Sequence, residues 1–195
     1  MRLIGLTGGI ASGKSTVGRL LAEQHGATVI DADQVSRDIM QPGSPTLLAV
    51  LDALGHHLAD DAGVLDRAAL RAHIIADADA RRTLEGITHP AIRTTILERI
   101  QQAVQTGAEL IVVEAALLVE TGSYRQYPEL WVVTCDPVTQ LERLTGRDGM
   151  DEPSARALIA TQAPLADKEA VATTVIRNDG SLQDLERAVR DAVCA

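Results

Sequence analysis

The stretch Gly8-Gly9-Ile10-Ala11-Ser12-Gly13-Lys14-Ser15 identifies the class of fold, because a glycine, four further residues and then Gly-Lys-Ser form a phosphate-binding pattern. Its glycines allow positive φ angles and close backbone approach, so that successive N–H groups can form a concave anion site. Lys14 supplies a positive charge for the outer phosphates, and the Ser15 hydroxyl stands where a Mg²⁺ ligand is expected. The residues expected to bind the nucleotide phosphates are Gly8, Gly9, Ala11, Ser12, Gly13, Lys14, Ser15 and Thr16.

The flanking residues provide the context that phosphate binding requires. The apolar run at residues 3–7 predicts a buried strand that ends at the loop. Val17, Leu20 and Leu21 follow at helical spacing and predict a helix that begins near Gly13. Such a helix directs the positive end of its dipole at the phosphates. A glycine-rich turn without a ligand is the alternative, and the order of strand, loop and helix argues against it.

Four further short apolar runs predict the remaining strands, at residues 28–30, 110–113, 130–134 and 174–176. Segments with helical periodicity or helix start signals lie between them. This alternation predicts an α/β fold with a doubly wound, five-stranded parallel sheet. We predict one domain that spans residues 1–195.

A long helical segment separates the second and third predicted strands. Its apolar residues recur at helical spacing at 46–54, 66–75 and 79–104, with an interruption at His89-Pro90. A simple crossover needs far fewer residues, and such excess is typical of substrate recognition. We therefore predict a helical insertion at about residues 36–105.

Composition limits the functional classes. A net charge of −9 argues against a protein that grips nucleic acid backbones in general. The two cysteines lie far apart without metal-binding spacing, which suits a reducing cytosol. No stretch approaches the length of a membrane span. We expect a cytoplasmic protein without nucleic-acid, membrane or obligate protein partners.

Carboxylates follow two of the predicted strands. Asp31 and Asp33 come after the second strand, at the edge of the sheet where ligands bind in open α/β folds. Asp33 is therefore a candidate base, although it can also cap a helix that begins at Gln34. Glu114 closes the third strand, where it can hold Mg²⁺ through water or can simply be a surface residue.

Two arginines follow the fourth strand on a helix whose start is marked by Asp136-Pro137. Arg143 and Arg147 are four residues apart, so that both guanidinium groups lie on one helical face, with Gln140 one turn earlier. This spacing indicates a phosphate clamp within a lid at about residues 140–165. The alternative is a solvated helix surface whose arginines pair with neighbouring acids.

Taken together, these motifs resemble the dephospho-coenzyme A kinase family, which phosphorylates the ribose 3′-hydroxyl of dephospho-coenzyme A. The resemblance extends over nearly the whole chain. It rests on the phosphate loop and on residues 30–33 with Arg37, 87–90, 117–122, 143–147, Gln162, Lys168 and 176–178. It implies a P-loop fold like that of nucleoside monophosphate kinases, with ATP as donor, Mg²⁺ bound at Ser15, and dephospho-coenzyme A as the small-molecule acceptor.

The resemblance also implies roles for individual residues. Asp33 matches the proposed base, and Lys14, Arg143 and Arg147 match the other catalytic positions. Asn178 matches the region near adenine, and the insertion matches the acceptor side. The residues implied to bind the acceptor are Asp33, Arg37, His89, Leu117, Leu118 and Glu120.

The chain departs from the family pattern at two places, at the end of the third strand and just before the last strand. Glu114 and Ala116 stand where Asp and Pro are frequent, and residues 172–173 replace a frequent Ala-Asp pair. Another small-molecule or nucleoside monophosphate kinase is an alternative, since loop and lid are shared. A nucleotide switch is a further alternative, but residues 134–137 lack the Asn-Lys-x-Asp pattern of a GTP switch.

Overall fold

The computed structural model describes residues 1–195, except for the side chains of Arg147 and Asp148. The predicted clamp role of Arg147 therefore lies outside the described residues. The chain divides into two compact units. The first unit consists of Met1–Ile30 and Ala103–Ala195, and the second of Asp31–Gln102.

The first unit is built on a five-stranded parallel sheet, which confirms the predicted fold class. The strand order is β2-β3-β1-β4-β5. In the register, Leu6 of the first strand lies opposite Glu114 on one side and Trp131 on the other. The strands are β1 Arg2–Gly8, β2 Thr28–Asp31, β3 Leu110–Glu114, β4 Glu129–Thr134 and β5 Thr174–Arg177.

Nine α-helices accompany the sheet in the described chain. None of the helices whose residues are described combines the length and the apolar composition that crossing a membrane requires. Short 3₁₀ turns lie at His56–Leu58 and Ser123–Gln126. The helices are α1 Lys14–His25, α2 Ala32–Asp38, α3 Pro45–Leu54, α4 Arg67–Ala76, α5 Ala78–Gln105, α6 Pro137–Asp148, α7 Glu152–Ile159, α8 Leu165–Ala170 and α9 Leu182–Cys194.

Aliphatic side chains form the core of the first unit. Every residue of β3 is buried, as expected for a parallel strand covered on both faces. On one face of the sheet, helices α1 and α9 pack against β1, β4 and the fully buried Trp131. A second cluster contains Leu118, Leu130 and Val132, with Tyr124 and Tyr127 packed against it. Buried side chains therefore pack against the strands next to the point where the phosphate loop leaves β1.

The second unit has its own apolar core. It gathers buried residues of α3 and α4 with those of the intervening 3₁₀ turn and hairpin-like bridge. Side-chain oxygens begin both helices, since Ser44 accepts from the Leu47 N–H and Asp66 accepts from the N–H groups of the following turn. The buried core residues are Met40, Leu47, Val50, Leu51, Leu58, Leu65 and Leu70.

The predicted interruption at His89-Pro90 is wrong. Helix α5 continues for 28 residues through Pro90. A proline inside a helix lacks an N–H donor and crowds the carbonyl four residues earlier, at a cost of about 3 kcal/mol. In this long helix the remaining turns on both sides of Pro90 keep their helical conformation, so that one local defect does not end the element.

The capping role considered for Asp33 is also wrong. Helix α2 begins at Ala32, and its N-cap is Asp31, whose Oδ1 accepts from the Asp33 N–H at 2.7 Å and from the Gln34 N–H at 3.2 Å. Asp33 instead lies in the first turn, where its side chain is exposed. Its carboxylate is thus not used to start the helix.

Replacing Asp31 tests this assignment of the cap. We expect Asp31→Ala to lower the free energy of unfolding by about 1 kcal/mol, since two N–H groups lose their acceptor. Asp31→Asn keeps a capping oxygen and serves as the control, because the exposed ion pair of Asp31 with Arg37 at 3.7 Å contributes little. Chemical denaturation measures both variants, and an equal loss in Asn and Ala would contradict the cap.

Candidate active site

The phosphate loop connects β1 to α1 in a conformation that only particular residues tolerate. Gly13 has a φ of 97°, in the left-handed region that favours glycine, and it occupies the N-cap position of α1. A Cβ on Gly8 would lie 2.5 Å from the Val133 carbonyl oxygen. Ala11 also has a positive φ, 59°, which is uncommon for a residue with a side chain. Backbone strain of this kind is typical of ligand-binding loops.

Three side chains from different elements hold the backbone of this loop. Gln140 of α6 donates from Nε2 to the Ile10 carbonyl at 2.8 Å, and Gln162 accepts from the Ile10 N–H at 2.8 Å. Asn178 donates from Nδ2 to the Ser12 carbonyl at 2.8 Å. Because peptide groups are bonded on both sides of the turn, the loop is set before a nucleotide arrives.

Lys14 and Ser15 meet at a single carboxylate oxygen. Oε1 of Glu114 lies 2.6 Å from Lys14 Nζ and 2.7 Å from Ser15 Oγ. Glu114 is only 5% exposed, so the surface placement considered for it is wrong. Charge-assisted hydrogen bonds of this length, shielded from water, are among the stronger polar interactions in proteins. The predicted ammonium group, hydroxyl and carboxylate therefore form one cluster between the start of α1 and the end of β3.

The oxygens of this cluster fit a magnesium ion. Mg²⁺ prefers hard oxygen ligands, and it is usually held by one or two protein groups together with phosphates and water. The Ser15 hydroxyl and the Glu114 carboxylate are such groups, and they already lie within hydrogen-bond distance of each other. The metal role of Ser15 stays a prediction.

A pocket of about 270 Å³ opens beside the loop and contains Arg143. The Nη1 atom of Arg143 is buried and makes no hydrogen bond to the described residues. A buried donor without an acceptor is costly, so this atom favours an anionic or carbonyl ligand. The apolar side chains of Leu182 and Leu185 belong to the same lining. The pocket is lined by Gly13, Thr16, Arg143, Asn178, Gly180, Leu182 and Leu185.

Lys168 of α8 connects three segments around the loop. Its side chain is completely buried, and Nζ donates to the Ala116 carbonyl at 2.9 Å and lies 2.7 Å from Glu120 Oε1. Nζ also lies 3.5 Å from the carbonyl oxygen of Gly8. The sequence offers a signal for this role, since only two of its 18 basic residues are lysines, but it gives no partner for Lys168.

The charge of Glu120 is maintained by the same contacts. Burial alone would raise the pKa of Glu120, but hydrogen bonds from Lys168 and from the Ala163 N–H, together with the charge of Lys168, hold that pKa below its ordinary value. The Ala163 N–H donates to Glu120 Oε1 at 3.0 Å. Lys168 and Glu120 thus link the rim after β3 to the segment before α8.

The residues predicted to bind the acceptor are divided between the two units. Leu117 is half-exposed, whereas Leu118 is 5% exposed and packs in the core with Leu130 and Val132. The second unit contributes three exposed side chains, namely Asp33 and Arg37 on α2 and His89 on α5. Their roles stay predictions, as do those of Glu120 and the lid.

A family model and curated relatives indicate one family. The family model described as dephospho-CoA kinase matches residues 2–184. A curated dephospho-CoA kinase from Geobacter sulfurreducens is 44% identical over 191 residues, which cover 98% of this chain and 96% of the relative. A solved Thermus thermophilus structure has a TM-score of 0.82 at 30% identity and covers 99% of this chain and 96% of its own. A dephospho-CoA kinase from Campylobacter jejuni has a TM-score of 0.75 at 26% identity, covering 100% and 96%.

Removing the buried cation tests the link made by Lys168. We expect Lys168→Met to lower the free energy of unfolding at pH 7 by about 3 kcal/mol, the low end for breaking a buried ion pair, because Glu120 can still reach water. Arg156→Met, which removes an exposed cation paired with Glu152, is the control and should change stability by about 0.5 kcal/mol or less.

The pH dependence of the Lys168→Met effect has a defined sign. The pKa of Glu120 is depressed in the folded state, so the stability from its pair with Lys168 is present above the ordinary value of 4.5 and is lost as the pH falls through the folded pKa. The stability difference between wild type and Lys168→Met should therefore shrink in acid. Urea denaturation from pH 7 to pH 3 measures this, and a constant difference would contradict the ion pair.

Proposed function

The chain belongs to the dephospho-CoA kinase family, and from that premise we propose that it transfers the γ-phosphoryl group of ATP to the ribose 3′-hydroxyl of dephospho-CoA. This reaction is the last step of coenzyme A biosynthesis. The observation that carries the proposal is the cluster in which Lys14 and Ser15 share one oxygen of Glu114 at the mouth of a preformed phosphate loop. Both donors point at this one anionic oxygen, and phosphate oxygens would take its place beside Lys14 when a nucleotide binds.

The protein's contribution to phosphoryl transfer is mainly position and charge. Backbone N–H groups of the loop and the start of α1 offer an anion site for the donor phosphates. Lys14 would exchange Glu114 for phosphate oxygens, since its ammonium lies at the end of the loop. Arg143, whose Nη1 atom lacks a described partner, would add a second positive charge from the pocket wall. The lysine and the arginine together would stabilise negative charge on the transferring group.

Ser15 and Glu114 are the proposed magnesium ligands. These two residues would hold the ion together with the donor phosphates, because both supply hard oxygens. Bound Mg²⁺ neutralises phosphate charge during transfer. Thr16 and Asn178, which line the neighbouring pocket, would orient the nucleotide, and Leu182 and Leu185 would contact its base.

Asp33 would accept the proton from the acceptor hydroxyl. Support comes from the order of the chain and from local structure. Asp33 follows β2 by two residues, ligands of parallel sheets bind beyond the carboxyl ends of strands, and the cap made by Asp31 leaves the Asp33 carboxylate exposed. Arg37 and His89, which are exposed in the second unit and carry hydrogen-bond donors, would bind the acceptor. Leu117 and Glu120, in the segment after β3, would also contact it.

Acceptor-dependent release of ADP tests the proposed reaction. The purified chain should transfer phosphate from ATP to dephospho-CoA, and adenosine, AMP and shikimate offered at equal concentration serve as matched acceptors. Efficient transfer to one of these three, without transfer to dephospho-CoA, would assign the chain to another small-molecule kinase. ATP binding without transfer to any acceptor would indicate a nucleotide-binding module.

Asp33→Asn tests the base. Replacing the carboxylate by an amide of equal size should lower kcat by about 10²- to 10⁴-fold, the usual contribution of a placed general base. ATP affinity should stay near the wild-type value, because the nucleotide is held by the other unit. Asp61→Asn makes the same change at an exposed position of the second unit and should leave both values unchanged. Steady-state kinetics measure the two variants, and near-normal turnover in Asp33→Asn would remove this residue from the mechanism.

A further inference from the structure

Gly18 occupies a position where helix propensity favours almost any other residue. It lies in the middle of α1, it is buried, and its φ is not in the left-handed region. Glycine is less favourable than alanine in a helix interior, because it loses more backbone freedom on folding. The reason for a glycine at this position must therefore lie in what surrounds it.

A carboxylate oxygen fills the space beside Gly18. A Cβ built on Gly18 would overlap Oε2 of Glu114, far inside van der Waals contact. The next neighbours are Glu114 Cδ at 3.5 Å and Leu6 Cδ2 at 3.8 Å, which are ordinary contact distances. Of these neighbours, only the Glu114 oxygen lies too close for a Cβ on residue 18.

The two oxygens of Glu114 have separate surroundings. Oε2 lies against the bare backbone of Gly18, whereas Oε1 accepts from Lys14 Nζ at 2.6 Å and Ser15 Oγ at 2.7 Å. A carboxylate is planar, so that the position of one oxygen determines the direction of the other. Glu114 is 5% exposed, so both of its oxygens are shielded from water.

We propose that Gly18 is a positioning residue for nucleotide and magnesium binding. The missing Cβ lets Oε2 sit against α1, and this contact aims Oε1 at Lys14 and Ser15. The long side chain of Glu114 and the glycine on the facing helix are therefore a coupled pair. The inference deepens the proposed function and rests on it, because it assigns a determinant of the same phosphate site.

Thermal stability tests the overlap without any use of activity. Gly18→Ala in the natural background should lower Tm by about 2 °C or more, because the new methyl group displaces a buried carboxylate. In a Glu114→Ala background the obstacle is absent, and Gly18→Ala should instead raise Tm by about 2 °C through helix propensity. Gly86→Ala, in α5 with nothing within 4 Å of the place that its methyl group would take, is the control and should raise Tm in both backgrounds.

Binding of MgATP tests the consequence for the site. Gly18→Ala should raise the Kd for MgATP about tenfold, which is the low end of the effect of replacing a residue that orients a metal ligand. Gly86→Ala should leave this Kd unchanged. Glu114→Asp shortens the side chain by one methylene, so the double variant Gly18→Ala/Glu114→Asp should bind MgATP more tightly than the product of the single effects predicts. Equilibrium titration with and without magnesium gives these values.

The outcomes separate this inference from the proposed function. A Tm change of the same sign in both backgrounds, or strictly additive effects on Kd, would overturn the coupling of Gly18 with Glu114. Suppose that the Tm change caused by Gly18→Ala reverses sign between the two backgrounds, but dephospho-CoA accepts no phosphate. That result would support the coupling of Gly18 with Glu114 and reject dephospho-CoA as the acceptor. If Gly18→Ala does not fold alone, the Glu114→Ala background decides: there Gly18→Ala should fold with a Tm about 2 °C above that of Glu114→Ala alone, and failure of this double variant to fold would overturn the coupling.

Discussion

The contact between Lys14 Nζ and Glu114 Oε1 is the interaction on which the site depends. It joins a cation at the start of α1 to a carboxylate at the end of β3, and it exists because β1 and β3 pair in a register that places Leu6 opposite Glu114. Two charges this well shielded from water stabilise a fold only when their geometry is good and further hydrogen bonds are present. Ser15 supplies one such bond. A nucleotide would enter a site whose charges are already opposed and already aligned.

The loop itself is held through its backbone. Gln140, Gln162 and Asn178 bond the peptide groups of Ile10 and Ser12, so three segments distant in sequence converge on a few residues. The conformation of the loop is therefore fixed by bonds to its own peptide groups. Such preorganisation lowers the conformational entropy that binding would otherwise have to overcome.

Sequence alone predicted the strands, the phosphate loop and the long helical insertion, because each is marked by a continuous apolar run, a glycine pattern or a helical period. It did not predict the short helices α7 and α8 or the passage of α5 through Pro90, since these depend on packing that local propensity does not contain. The partners of Glu114 and Lys168 were also not predictable. Spacing locates a side chain on an element, but only the register of β1 with β3 and the placement of α8 decide which atoms it meets.

Several residues near Glu114 and the phosphate loop depart from the usual backbone, helix or burial preferences of their residue type. Ala11 has a positive φ, Gly18 lies in the interior of helix α1, and Lys168 buries an ammonium group completely. Each exception carries an energetic cost that a purely structural role would not need, and a sequence selected for stability alone would avoid all three. Each also places a donor or an acceptor next to the phosphate loop. Their concentration there is a physical argument, independent of family resemblance, that this edge of the sheet was shaped by a charged ligand.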